Sequence, residues 1–151
     1  MEQYRLTRLE IDLDVIARNA RLLRARTPAQ AKMMAVVKAD AYGHGAVEVS
    51  RAALANGADA LAVAIPEEGA ALREAGIEAP ILVLGGVNAD GAEADVQFGL
   101  TQTVYDERTV ENLQSAAQRL GKTAAAHLKI DSGMGRIGVR TEEEARRVLA
   151  A

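Results

Sequence analysis

The residues with the most chemical promise stand together in Val36-Val37-Lys38-Ala39-Asp40-Ala41-Tyr42-Gly43-His44-Gly45. The apolar run Met33 to Val37 reads as a buried strand that delivers Lys38 to its carboxyl end. An amine walled there by Met34 and Val36 loses hydration of its ammonium, which lowers its pKa and makes it a nucleophile towards aldehydes. The plainer alternative is a lysine that snorkels from a strand end into solvent. Tyr42 falls in the glycine-punctuated turn that follows, where it either offers its hydroxyl to a ligand or packs its ring on the next helix. His44 reads as a capping or packing residue and is assigned no chemistry.

A second cluster is His127-Leu128-Lys129-Ile130-Asp131-Ser132-Gly133-Met134-Gly135-Arg136-Ile137-Gly138. On a strand, residues 127, 129 and 131 share one face and Leu128 and Ile130 the other. Arg136 sits in the glycine-rich loop beyond, where a guanidinium either donates to an anionic oxygen or forms an ordinary surface ion pair. Lys129 and Asp131 either serve the site or simply contact each other. The loop also spells G-x-G-x-x-G, the dinucleotide-binding fingerprint, but too few residues follow for the acidic ribose ligand about twenty positions on.

The elements that must position these residues alternate regularly. Leu9, Ile11 and Leu13 alternate with charged residues and suggest a short half-buried strand. A helix follows from Asp12 or Asp14, with Leu13, Ile16, Ala20 and Leu23 at helical spacing, and stops at Thr27-Pro28. After the Met33 to Lys38 strand, a helix from Ala46 uses Val49 and Ala53 inwardly and ends at Asn56-Gly57. Ala60 to Ile65 is a second strand, and Pro66-Glu67-Glu68 opens a helix with acids at its positive end, closed by Gly76. Pro80 to Leu84 is a third strand, ending at Gly85-Gly86, where a ligand can approach the backbone. A weakly patterned helix spans Ala89 to Phe98, and Leu100 to Val104 is a fourth strand. Asp106 caps a helix with inner residues Val110, Leu113, Ala117 and Leu120, terminated at Gly121. Ala124 to Ile130 is a fifth strand, and Thr141 with Glu144 forms a capping box for a last helix.

Continuous apolar strands alternating with helices predict a parallel sheet with both faces buried. A doubly wound sheet and a barrel share this periodicity. The 151 residues suffice for one core, and the net charge of −3, spread along the chain, argues against a nucleic-acid surface. There is no cysteine, hence no disulfide and no thiolate metal site, and no metal is expected. The N-terminus lacks a signal-peptide layout and no apolar run approaches the ~20 residues of a membrane span, so the expected location is cytoplasmic. The last helix runs out at Leu149-Ala150-Ala151 without a stop signal, and a complete (β/α)8 barrel takes about 250 residues, so the chain is expected to be the front of something longer.

The stretch Lys38-Ala39-Asp40-Ala41-Tyr42-Gly43-His44-Gly45 resembles the cofactor-lysine motif of bacterial alanine racemases, and His127 to Gly138 resembles that family's second signature. The barrel decarboxylases of diaminopimelate and ornithine share the strand-end lysine but not Asp-Ala-Tyr-Gly-His-Gly. The resemblance implies a TIM-type (β/α) barrel, here about five of eight strand–helix units. Residues 1–12 would be an N-terminal strand segment that in the family joins the C-terminal domain, and 13–151 the N-terminal part of the pyridoxal-phosphate barrel. By the same resemblance Lys38 holds pyridoxal phosphate as an imine and exchanges the α-proton of the D-enantiomer. Tyr42 reaches its phosphate, and Arg136 meets its phenolic oxygen and the substrate carboxylate. Lys129 is carbamylated to N6-carboxylysine and orients Arg136. Leu84, at the end of the third strand, is expected to contact the cofactor ring.

The implied activity is interconversion of L- and D-alanine, supplying D-alanine for peptidoglycan, in a homodimer. The family's second base, a tyrosine from the C-terminal domain of the other subunit, has no counterpart here. The competing readings are a non-catalytic half-barrel that self-associates, another barrel-type pyridoxal-phosphate enzyme acting on other amino acids, and a dinucleotide-binding module.

Overall fold

The computed structural model describes residues 8–151. Five parallel strands form one sheet: β1 (Met34–Val36), β2 (Ala60–Val63), β3 (Ile81–Val83), β4 (Thr101–Val104) and β5 (Ala125–Leu128). Six right-handed helices accompany them: α1 (Leu13–Arg26), α2 (Ala46–Ala55), α3 (Pro66–Glu74), α4 (Ala89–Gln97), α5 (Glu107–Leu120) and α6 (Glu142–Ala150). The strands lie in the order β1-β2-β3-β4-β5. This order separates the two architectures that periodicity could not. A doubly wound sheet reverses its strand order at a switch point, whereas a barrel adds each strand beside the last. The sheet is therefore a barrel segment of five strand–helix units.

Local chemistry sets most boundaries. Asp12 caps α1 by accepting from the N–H groups of Asp14 and Val15, and Asp106 caps α5 by accepting from Thr109 N–H. Thr141 and Glu144 form the expected capping box, and Gly121 ends α5 in the left-handed conformation. The strand expected over Leu9–Leu13 is absent from the described residues: Leu13 is taken into α1 by the Asp12 cap, and Leu9 is 74% exposed with no strand to pair with. The part of that segment before Arg8 lies outside the described residues.

The expectation that every strand is buried on both faces also needs correction. β2 is buried throughout, but at the sheet edges Met34 and Val36 of β1 are exposed on one face, and Ala125, Ala126 and His127 of β5 are exposed on both. Val37, Leu61, Val63, Ile81 and Val83 pack with Leu72, Ile77 and Leu100 in one core between sheet and helices. A second core joins Val104 to Ala92, Val96, Leu113, Ala116, Val139 and Val148. Met34 and Val36 alternate with the helix-facing residues and are 40% and 44% exposed, because a barrel segment with five strands leaves its inner face uncovered.

The buried polar residues include Asp95 on α4 and Gln102 on β4. Both carboxylate oxygens of Asp95 lack a protein partner, and burial, with the nearby charge of Glu67, pushes its carboxyl up to about 7. The Gln102 amide donates to Gly85 O at 2.6 Å and Thr103 O at 2.7 Å.

Candidate active site

Beyond β1 the chain does something that its composition conceals. Ala39, Asp40, Ala41 and Tyr42 all have φ between 51° and 57°, so Lys38–Gly43 is one turn of left-handed helix containing four consecutive non-glycine residues in that conformation. Each such residue costs roughly 1–2 kcal/mol. Strain of this kind persists only where the surroundings over-determine it, and it concentrates at functional sites.

Several hydrogen bonds hold the turn. Ala41 N–H donates to Val37 O (2.9 Å) and Gly45 N–H to Asp40 O (3.0 Å). The Asp40 carboxylate accepts from Ala46 N–H at 2.7 Å and so starts α2. His44 Nδ1 lies 2.9 Å from Ala41 O, in keeping with its reading as a capping residue. Ala39 N–H donates to Glu68 Oε1 at 2.6 Å, while Ala64 N–H, just past β2, donates to Glu68 Oε2 at 2.7 Å. One carboxylate thus ties together the ends of two strands.

The turn leaves Lys38 at the carboxyl end of the sheet, half-buried. The apolar wall expected around it is incomplete, since Met34 and Val36 are themselves exposed. Its Nζ stands 5.9 Å from the centroid of the Tyr42 ring. Tyr42 is 61% exposed, which argues against its role as a ring packed on the following helix.

Lys38, Leu84, Lys129 and Arg136 line one cavity of about 300 Å³, together with Ala64, Gly85 and Ile137. Four of the five residues singled out from sequence therefore share one space, and Tyr42 is not among its lining residues. At its floor Gly85 N–H donates to Ala64 O (3.1 Å), and a Cβ on Gly85 would lie 2.6 Å from that oxygen, so glycine is required there. The exposed Arg136 also borders a second cavity of about 350 Å³ with Tyr105, Arg140, Glu144 and Arg147.

The loop carrying Arg136 is closed by its own backbone. Asp131 N–H donates to Val139 O and Val139 N–H to Lys129 O, both at 2.9 Å, while Lys129 N–H donates to Val104 O at 2.8 Å. Gly138, with φ 129°, lets the strands of the loop pass, because a Cβ there would stand 2.6 Å from Asp131 N. The Asp131 carboxylate accepts from Gly133 N–H (3.0 Å), Gly135 N–H (2.9 Å) and Arg140 Nε (3.2 Å). The two backbone N–H groups, then Arg140, hold this carboxyl below the usual range. Asp131 thus shapes the Arg136 loop, which answers the simple Lys129–Asp131 contact considered above. The dinucleotide reading loses its context too: α6 opens at Glu142, beyond Gly138, whereas the fingerprint needs a helix starting within the motif.

The donor set suits an anionic carbonyl compound. Two amines and a guanidinium meet around a cavity with apolar walls from Leu84, Ala64 and Ile137. A phosphorylated aromatic aldehyde such as pyridoxal phosphate matches that chemistry, through an amine for the aldehyde and cations for its oxygens. Among the described residues no group of His, Asp and Glu has metal-site spacing.

Sequence reasoning missed Glu68 and the shaping role of Asp131. Glu68 was legible only as a helix-start acid.

Residues 11–151 match the family model described as alanine racemase, N-terminal domain. The chain is 49% identical over 148 residues to alanine racemase 2 of Oceanobacillus iheyensis, covering 98% of this chain and 38% of that protein. It is 44% identical over 148 residues to alanine racemase 2 of Bacillus subtilis, covering 95% and 37%. Among solved structures, the alanine racemase from Bacillus anthracis with bound L-Ala-P superposes with a TM-score of 0.91 at 38% identity, over 99% of this chain and 39% of that one. The alanine racemase from Streptomyces coelicolor gives a TM-score of 0.87 at 38% identity, over 93% and 37%. The chain therefore spans less than two fifths of the length of these relatives.

Proposed function

The chain belongs to the alanine racemase family, in the part described as its N-terminal domain, and from that premise we propose that it carries one half of a pyridoxal-phosphate site for racemising alanine. The observation that supports this most is the single cavity bordered by Lys38, Leu84, Lys129 and Arg136. When bound, pyridoxal phosphate supplies an aldehyde and an electron-withdrawing ring that acidifies the α-proton of an attached amino acid.

Lys38 has two tasks in this reading. Its amine would hold the cofactor through the aldehyde, and would also be the base that moves a proton at the substrate α-carbon. Arg136 directs its planar guanidinium at the phenolic oxygen and the substrate carboxylate. Leu84 packs against the ring and keeps water from that side. The Tyr42 hydroxyl, exposed beyond the turn, donates to the phosphate. Lys129, half-buried near Arg136, takes up carbon dioxide as N6-carboxylysine, so that an anion rather than a second cation faces the guanidinium. Carbon-13 bicarbonate should then give a carbamate resonance that Lys129→Ala abolishes.

The remaining machinery of this reading lies outside the described residues. The relatives are more than twice as long as this chain, and in this reading a second base from a further domain, a homodimer, and residues 1–12 as the segment joining that domain complete the site. D-alanine made in the cytoplasm for peptidoglycan is the product this reading implies. No helix among the described residues is long and apolar enough to cross a membrane.

The test is reductive trapping: pyridoxal phosphate and borohydride should label Lys38, and Lys38→Ala should abolish the label. A label at full yield in Lys38→Ala would overturn the assignment. A second reading, a self-associating half-barrel without activity, is favoured by the open inner face at Met34 and Val36 and by the outer edges of β1 and β5, which pair with no strand among the described residues. The 151-residue chain alone is expected to lack racemase activity and to self-associate under either reading, so borohydride labelling of Lys38, beside light scattering and a racemisation assay, separates the two. A monomer with robust activity would refute the half-barrel reading.

A further inference from the structure

We propose that Glu68 is a positioning residue for Lys38: its carboxylate clamps the ends of β1 and β2 and so imposes the left-handed turn that aims the amine at the cavity. The inference rests on the reading of Lys38 as the aldehyde-binding amine, and adds a residue that the reading itself does not use.

The geometry is specific. Glu68 is in the first turn of α3, where an acid ordinarily faces solvent and the positive helix end. Here each oxygen has its own distant partner, Ala39 N–H at 2.6 Å and Ala64 N–H at 2.7 Å. Ala39 directly follows Lys38 and is the first residue with positive φ. Its N–H cannot be satisfied by a right-handed helical continuation, because the chain turns the other way. Ala64 directly follows β2 and lines the same cavity as Lys38. A two-oxygen acceptor bridging two N–H donors is what a carboxylate supplies and an amide does not. Glutamine would turn an NH2 donor towards one of those N–H groups, and aspartate is one methylene too short to span both. Both contacts are charge-assisted and short, as such bonds are. The neighbouring Glu67 makes neither contact, which singles out one of two adjacent acids.

Three measurements on the 151-residue chain decide the matter, with Glu67→Gln as the control. In the wild type, the amide proton resonances of Ala39 and Ala64 should both stand downfield, where short hydrogen bonds to a carboxylate place them. Ordinary shifts at either amide would overturn the clamp without any variant being made. In Glu68→Gln, hydrogen exchange at Ala39 and Ala64 should quicken about tenfold or more relative to amides in β3, and Glu67→Gln should leave both unchanged. Unchanged exchange in Glu68→Gln would likewise overturn the clamp.

The link to Lys38 is read separately, by the rate of borohydride trapping with pyridoxal phosphate across pH. Glu68→Gln should slow trapping about tenfold and displace its pH profile, and Glu68→Asp should not rescue it. A profile that keeps its shape and rate would leave Glu68 structural and overturn its positioning role. Absence of any Lys38 label in the wild type would sink the proposed function, while the resonance and exchange results would still decide the clamp.

Discussion

Lys38 Nζ lies 5.9 Å from the centre of the Tyr42 ring across a single left-handed turn, so the amine and the phenol are carried to the same end of the sheet by four residues in an unfavourable conformation. The pairing makes Tyr42 separable into a ring and a hydroxyl.

Tyr42→Phe keeps the ring beside the amine and removes only the hydroxyl. If that hydroxyl donates to a phosphate, cofactor affinity should fall about tenfold or more, since a hydrogen bond to a charged group is worth roughly 1.5–3 kcal/mol. Equilibrium dialysis of pyridoxal phosphate measures it. Equal affinity in both proteins would leave Tyr42 only its ring contact.

Arg136→Lys keeps the charge and loses the planar fork. In a competent assembly it should lower racemisation turnover more than it lowers cofactor retention. Steady-state kinetics beside dialysis would reveal the split, and unchanged turnover would return Arg136 to the role of a solvated loop residue.

Ala39→Gly addresses the strain directly. Ala39 is exposed with φ 51°, and glycine accepts that conformation without the roughly 1–2 kcal/mol penalty. Glycine also raises the entropy of the unfolded chain, which costs about 0.5–1 kcal/mol. The balance is a gain of up to about 1.5 kcal/mol, seen as a higher urea midpoint. A loss of stability would mean that the turn is less strained than its backbone angles imply.

Asp95→Asn should change how stability varies with pH. With a folded pKa raised from 3.8 to about 7, Asp95 keeps its proton in the folded state where the unfolded chain has lost it. Its contribution is fully present below 3.8 and declines as pH rises towards about 7. Asparagine carries no such charge, so the variant should melt higher than the wild type at pH 8, by a few degrees since about 1 kcal/mol moves a chain of this size by roughly 2–4 °C. Near pH 4 the two should converge. Parallel melting curves at both pH values would show that Asp95 is already neutralised by a partner.

Signals that act over a few residues were legible in the sequence, and those that depend on the assembled sheet were not. Asp106, Gly121, Thr141 and Pro66 were readable because a cap or a first-turn proline acts within four residues of itself. The grouping of Lys38, Lys129 and Arg136 was readable from two motifs at strand ends. The left-handed turn was not, since Ala39, Asp40, Ala41 and Tyr42 contain no glycine to announce it. Glu68 was seen as a helix-start acid because its partners, Ala39 and Ala64, are brought to it only by the sheet. The burial of the strands was overestimated for β1 and β5, because apolar composition records what a face can tolerate and not whether anything covers it.

The strictly sequential order of the five strands also governs how the chain can acquire its structure. Every strand pairing joins neighbours in sequence, one strand–helix unit apart, so contact order is low for a parallel sheet and no loop must be closed across the whole molecule. Each strand can dock as soon as it leaves the ribosome, on a template already standing, and none must be inserted later between two that have paired. Growth of this kind runs in one direction from β1, and the left-handed turn carrying Lys38 can be locked once α3 brings Glu68, long before β5 and the Arg136 loop exist.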